Sequence, residues 1–140
     1  MNENVTKKEF QVISDLSEIQ KASHRVLSLV KPLDLNESCL FDIRLCLEEA
    51  LINAIKYGNR SKKDLKVRLA VEFNKEEVRI TVEDQGKGFD PRQLKNCTTE
   101  TNLSKSHGRG VYLIHHLMDD VKYNSKGNSV LMVKKLKTRR

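Results

Sequence analysis

The chain has 140 residues, enough for one hydrophobic core and too few for two. Hydrophobic residues make up 38% and charged residues 32%, and no apolar stretch nears the roughly 20 residues of a membrane span, so a soluble globular protein is expected. The net charge is +7, yet Lys134, Lys135, Lys137, Arg139 and Arg140 supply +5 of it without an intervening acid. A basic terminal segment is ordinarily a solvated end, so no direct nucleic-acid binding is expected. The start, MNENVTKKEF, has no apolar core and is no secretory signal. Cys39, Cys46 and Cys97 are odd in number and lack metal-ligand spacing, which suits free thiols packed in a cytoplasmic protein.

In chain order, Lys8 to Ile13 reads as a short strand. Asp15 with Glu18 resembles a capping box, and Ile19, Ala22, Val26 and Leu29 follow at helical spacing until Pro32. A second helix is expected from near Asn36 to about Tyr57, with Ile43, Leu47, Ala50 and Ala54 as its apolar seam and Gly58-Asn59 as its exit. The period then becomes alternating: Leu65, Val67, Leu69, Val71 and Phe73, then Val78, Ile80 and Val82, joined by a hairpin at Asn74 to Glu77. A polar stretch from Asp84 to about Gly110 is long enough to expect a functional loop. A third helix carries Val111, Ile114 and Leu117, and two strands follow, around Val121–Asn124 and Ser129–Leu136. Strands adjacent in sequence and joined by short turns imply an α+β fold. It is a two-layer α/β sandwich, with a mostly antiparallel sheet and helices on one face.

Three segments bear on chemistry. EEALINAIKYGN (residues 48–59) lies on the second helix, where Asp42, Cys46, Glu49, Asn53 and Lys56 fall on one face, opposite the apolar seam. Such a stripe is ordinarily the wet side of a helix. It also suits a cleft in which an amide oxygen ligates Mg²⁺ and a carboxylate one turn away accepts a proton. Glu48 points about 100° from Glu49 and is not the candidate. In DQGKGFD (residues 84–90), Gly86 and Gly88 suit either a turn or a close ligand approach, and the Asp84 carboxylate would accept from the exocyclic amine of adenine. In HGRGVYLIHHL (residues 107–117), Gly108 and Gly110 precede a helix whose free N–H groups favour an anion, with Arg109 adding charge. Neither a GxxxxGK[ST] loop nor a dinucleotide fingerprint is present.

In this order, the three segments resemble the N, G1 and G2 boxes of the GHKL ATPases. The likeness is strongest to the small RsbW/SpoIIAB-type anti-sigma serine kinases and runs over roughly residues 8 to 137. The resemblance implies the Bergerat-type ATP-binding fold as a single kinase domain over residues 1–140, with a basic tail from about 134 to 140. It further implies ATP and Mg²⁺ as cofactors, Glu49 as catalytic carboxylate and Asn53 as metal ligand. Asp84 is then the adenine-recognising residue, Gly86 and Gly88 lie under base and ribose, and Gly108, Arg109 and Gly110 lie beside the phosphates. Residues from about Pro91 to His107 correspond to the ATP lid. Many relatives have His in place of Tyr57.

The implied partners are a STAS-domain anti-anti-sigma factor, phosphorylated on serine, and a sigma factor. A homodimer is also implied, with no membrane partner. A nucleotide-gated binding module without chemistry would show the same boxes. The catalytic part of a sensor histidine kinase would need a phosphoacceptor helix for which the chain is too short, and His24, in SHRVLS, lacks the acidic neighbour. His115 and His116 read as helix-surface residues.

Overall fold

Alternating apolar residues build the sheet. The computed structural model describes residues 5–86 and 106–136, and of residues 106–109 only the backbone. Five strands, β1 (Thr6–Ile13), β2 (Lys66–Phe73), β3 (Glu77–Glu83), β4 (Asp120–Tyr123) and β5 (Ser129–Lys135), pair antiparallel throughout in the order β1-β2-β3-β5-β4. Val67, Leu69, Val71 and Phe73 of β2 face the helices together with Val78, Ile80 and Val82 of β3 and Val130 and Met132 of β5, and all are buried. The opposite face is charged, with Arg68 held by Glu83 at 2.8 Å and Glu9 at 3.6 Å.

Three helices cover the apolar face: α1 (Ile19–Leu29), α2 (Glu37–Ile52) and α3 (Ser106–Leu117). Ile43, Leu47, Leu51 and Ile55 are fully buried against the sheet, each contributing about 2 kcal/mol by leaving water. The expected two-layer α+β sandwich is what forms.

Local departures from the sequence reading have physical causes. Asp15 does not cap α1 directly. Its carboxylate accepts from Ser17 N–H at 3.0 Å and opens a 3-10 turn, Leu16–Glu18, ahead of the helix. Asn36 does cap α2, accepting from Cys39 N–H at 2.8 Å. The second helix does not run on as an α-helix to Tyr57. From Asn53 to Gly58 it is a π-helical turn, closed by Asn59 N–H to Ala54 carbonyl at 2.8 Å and Ser61 N–H to Ile55 carbonyl at 2.7 Å. Single π turns mark functional sites often enough to direct attention here.

Lys134 is no part of a solvated tail. It lies in β5, and its Nζ donates to Asp42 Oδ2 at 3.0 Å and to the Leu117 carbonyl at 2.7 Å, tying β5 to α2 and closing the C-terminus of α3. Residues 137–140 lie outside the described residues, as do Cys97 and most of the segment matched to a lid. No helix among the described residues is long and apolar enough to cross a membrane.

Candidate active site

A cleft opens where the C-terminal half of α2, its π turn, the end of β3, α3 and the β4–β5 turn converge. It encloses about 100 Å³ and is lined by Asn53, Tyr57, Gly58, Asp84, Val111, Ile114, Tyr123 and Asn128, among others. Ala50, Ala54, Val82 and Val130 complete an apolar floor under polar walls, the usual make-up of a small-molecule site.

The polar stripe on α2 is not a wet face. Cys46 is fully buried, Asp42 is bonded to Lys134, and Glu49 and Asn53 are half-buried toward α3; only Lys56 is exposed. Burial pushes the Cys46 thiol up to about 12, so it acts as a small packed hydrophobe. The stripe is polar because α3 and the cleft, rather than solvent, lie over it.

Glu49 and Asn53 meet Gly110. A β-carbon built on Gly110 would stand 2.5 Å from Glu49 Oε1 and 3.7 Å from Asn53 Nδ2. Gly108 and Gly110 do not precede the third helix, as the sequence suggested; α3 starts at Ser106, so both lie inside it. Glycine within a helix costs up to about 1 kcal/mol. Contact with Glu49 explains that choice at Gly110. The first turn of α3 carries no acidic residue, so none of its own side chains offsets the positive end of its dipole.

At the other end of the cleft, the Asp84 carboxylate lies against Gly58. A β-carbon on Gly58 would overlap that carboxylate, and one on Gly86 would overlap the Gly58 carbonyl. Asp84 Oδ1 accepts from Gly86 N–H at 2.8 Å, and no donor among the described residues bonds Oδ2. Burial raises the Asp84 carboxyl above its ordinary value, more than the Gly86 hydrogen bond lowers it. Asn128 grips the Asp84 backbone twice: its carbonyl accepts from Asp84 N–H at 2.9 Å, and its Nδ2 donates to the Asp84 carbonyl at 2.9 Å. Asn124 orders that turn by accepting from the N–H groups of Gly127, Asn128 and Ser129.

The fold thus brings Glu49 and Asn53 to Gly110, and Asp84 to Gly86, with Asn53 and Asp84 both lining one cleft. Gly88 lies outside the described residues. Gly108 and Arg109 are placed by their helical backbone alone. Gly58, read from the sequence only as a helix exit, and Asn128, in the β4–β5 turn, are part of the site. Tyr57 and Tyr123 also line it, and His115, exposed on α3, stacks on Tyr123 at 5.8 Å between ring centroids.

Among the described residues no group of three His, Cys, Asp or Glu could hold a metal. A lone amide such as Asn53 nonetheless fits Mg²⁺, which retains waters and takes phosphate oxygens in place of a protein cage.

The model of the histidine kinase-like ATPase domain matches residues 12–134. The chain belongs to that family. It is 28% identical over 100 residues to the serine-protein kinase RsbW of Listeria innocua, a match covering 66% of this chain and 64% of that protein. The RsbW of Staphylococcus epidermidis is likewise 28% identical over 104 residues, covering 69% of this chain and 65% of that one. The match therefore spans just under two thirds of these relatives. In structure, the chain is similar to the RsbU and RsbW domains of Rv1364c from Mycobacterium tuberculosis, with a TM-score of 0.65 and 11% identity over 96% of this chain and 34% of that one. That likeness concerns the fold. For an ATPase-family member, the cleft is the place to look for nucleotide.

Proposed function

We propose that this histidine kinase-like ATPase domain is an ATP-dependent protein serine kinase and anti-sigma factor. The observation that carries the reading is that Asn53, which lines the cleft opposite Asp84, meets Gly110 together with Glu49. The RsbW kinases to which the chain is similar supply the direction of the chemistry.

Asp84 Oδ2 would accept from the exocyclic amine of adenine; guanine presents a carbonyl there and would leave two acceptors facing each other. The Asn53 amide oxygen would hold Mg²⁺, which supplies charge neutralisation for the phosphates. The free N–H groups of the first turn of α3, Gly108 among them, would hold phosphate oxygens with Arg109, while Gly110, one turn in, would leave room beside Glu49. The hydroxyl oxygen of the substrate serine attacks the γ-phosphorus, the bond from that phosphorus to the β–γ bridging oxygen breaks, and ADP leaves. Glu49 takes the serine proton. In such a loose transition state, positioning and charge do most of the work.

The proposed substrate is a STAS-type anti-anti-sigma factor and the proposed sequestered partner a sigma factor. The cytoplasm is the proposed compartment, and a homodimer belongs to the same proposal. A nucleotide-gated module without chemistry is the second reading; the half-buried Glu49 beside Asn53 and Gly110 favours the kinase.

Incubating the protein with Mg·ATP and a candidate STAS protein tests this, with Glu49→Gln as control. Phosphoserine formed by wild type and lost in the variant supports the kinase. Tight Mg·ATP binding with no transfer to any STAS protein favours the module.

A further inference from the structure

Asn59 is outside the cleft, yet it is 1% exposed and every polar atom of its side chain is used. Its Nδ2 donates to Ser14 Oγ at 2.8 Å and to the Lys66 carbonyl at 3.1 Å. Its Oδ1 accepts from Gln85 N–H at 2.8 Å. These bonds join the end of the π turn to three other places: the residue after β1, the first residue of β2 and the turn after β3. Only the last of them reaches the segment that carries Asp84 and Gly86.

A buried asparagine at a helix exit can be explained as a cap. What a cap does not explain is the direction of Oδ1. Asn59 N–H already closes the π turn on the Ala54 carbonyl, and the side chain points away from the helix to the backbone of Gln85. On one side of Gln85, the Asp84 carboxylate rests on Gly58, the residue before Asn59; on the other, Gly86 rests on the Gly58 carbonyl. The Asp84–Gly86 turn is therefore pressed onto Gly58 and held there by the bond that Gln85 N–H donates to the next residue, Asn59. Asn128 fixes the Asp84 main chain from the β5 side. Asn59 fixes the same turn from the helix side, so the two together determine where the carboxylate points.

We infer that Asn59 is a positioning residue for base recognition, aiming the Asp84 carboxylate into the cleft through the Gln85 backbone. This rests on the proposal that the cleft takes an adenine nucleotide. A mis-set carboxylate loses the bond that distinguishes adenine from guanine, so affinity and selectivity fall together.

Ser14→Ala is the control. Ser14 Oγ accepts from Asn59 Nδ2 and donates to the Leu65 carbonyl at 2.7 Å, so its loss damages the buried cluster while sparing the Asn59–Gln85 bond. Calorimetric titration with Mg·ADP and Mg·GDP is run at low temperature, where circular dichroism shows each protein folded. Asn59→Ala is expected to bind ADP about tenfold more weakly and to lose most of the ADP preference over GDP, the scale of one oriented hydrogen bond. Ser14→Ala is expected to melt earlier and to keep wild-type affinity and preference.

If Asn59→Ala does not fold, Gln85→Pro removes the same bond from its donor, at an exposed position. Gln85→Ala then controls for the bond that Gln85 Oε1 accepts from Lys66 N–H. Weaker, less selective binding by Gln85→Pro alone supports the inference. Wild-type affinity and preference in Asn59→Ala or Gln85→Pro, or an equal loss in Ser14→Ala, overturns it. No ADP binding by wild type itself overturns the nucleotide proposal and the inference with it.

Discussion

The Cα of Gly58 lies so close to the Asp84 carboxylate that a single methyl group could not stand between them. This contact joins the π turn at the end of α2 to the loop after β3, and it makes Gly58 part of the proposed base site. Gly58→Ala must push the carboxylate aside. We expect the protein to fold and its Mg·ADP affinity, measured by calorimetry, to fall at least about tenfold, the equivalent of roughly 1.4 kcal/mol. Unchanged affinity would mean that Asp84 does not contact the base.

Gly110 makes the corresponding contact at the other end. Its missing β-carbon would stand 2.5 Å from Glu49 Oε1, so Gly110→Ala displaces the proposed proton acceptor. Misplacing a reacting group by an ångström costs about 100-fold in rate. Transfer to a STAS substrate should fall on that scale, with a smaller change in ADP affinity. Equal losses in both would place the damage in binding rather than chemistry.

Sequence periodicity was sufficient for the strands and for helices α1 and α2, because a half-buried sheet and one-sided helices impose periods of two and 3.6. The same logic misleads on the stripe of Asp42, Cys46, Glu49 and Asn53. A polar helix face reads as wet until α3, distant in sequence, is known to pack over it. The sequence marks Gly58-Asn59 as the helix exit, but the π turn is a backbone event with no residue signature, so the approach of Gly58 and Asn59 to the Asp84 turn is not legible there. Asn128 and Asn59 have the composition of ordinary turns; only tertiary contact shows that both hold the Asp84 turn. Gly110 reads as part of a helix entry, and it becomes the mark of a close neighbour only once α3 is seen to start at Ser106.

Asp84 makes a pH-dependent contribution whose sign follows from burial. Its folded carboxyl is raised above the ordinary 3.8, so its contribution to stability is complete below 3.8 and is lost as pH rises through the folded value. Asp84→Asn lacks that loss. In urea titrations without nucleotide, the variant should be the more stable protein at neutral pH, and its advantage should vanish below 3.8. A less stable variant at neutral pH would contradict the assignment.

Lys134 offers a test of architecture apart from the cleft. Lys134→Met leaves Asp42 half-buried and the Leu117 carbonyl without its partner. We expect a cost of about 3 kcal/mol in urea denaturation, reduced when Asp42→Leu is added, because a stranded charge is worse than none. A loss within about 0.5 kcal/mol would show the pair to be an ordinary surface bridge.

The central claim is that this cleft holds an adenine nucleotide through Asp84. Calorimetric titration of wild type and Asp84→Asn with Mg·ADP tests it most directly. In the variant, the side-chain amide oxygen would keep the bond from Gly86 N–H and turn the amide nitrogen toward the adenine amine, donor against donor. Wild type should bind ADP in preference to GDP, and the variant should lose ADP binding while remaining folded. Equal ADP affinity in the two proteins would contradict the account.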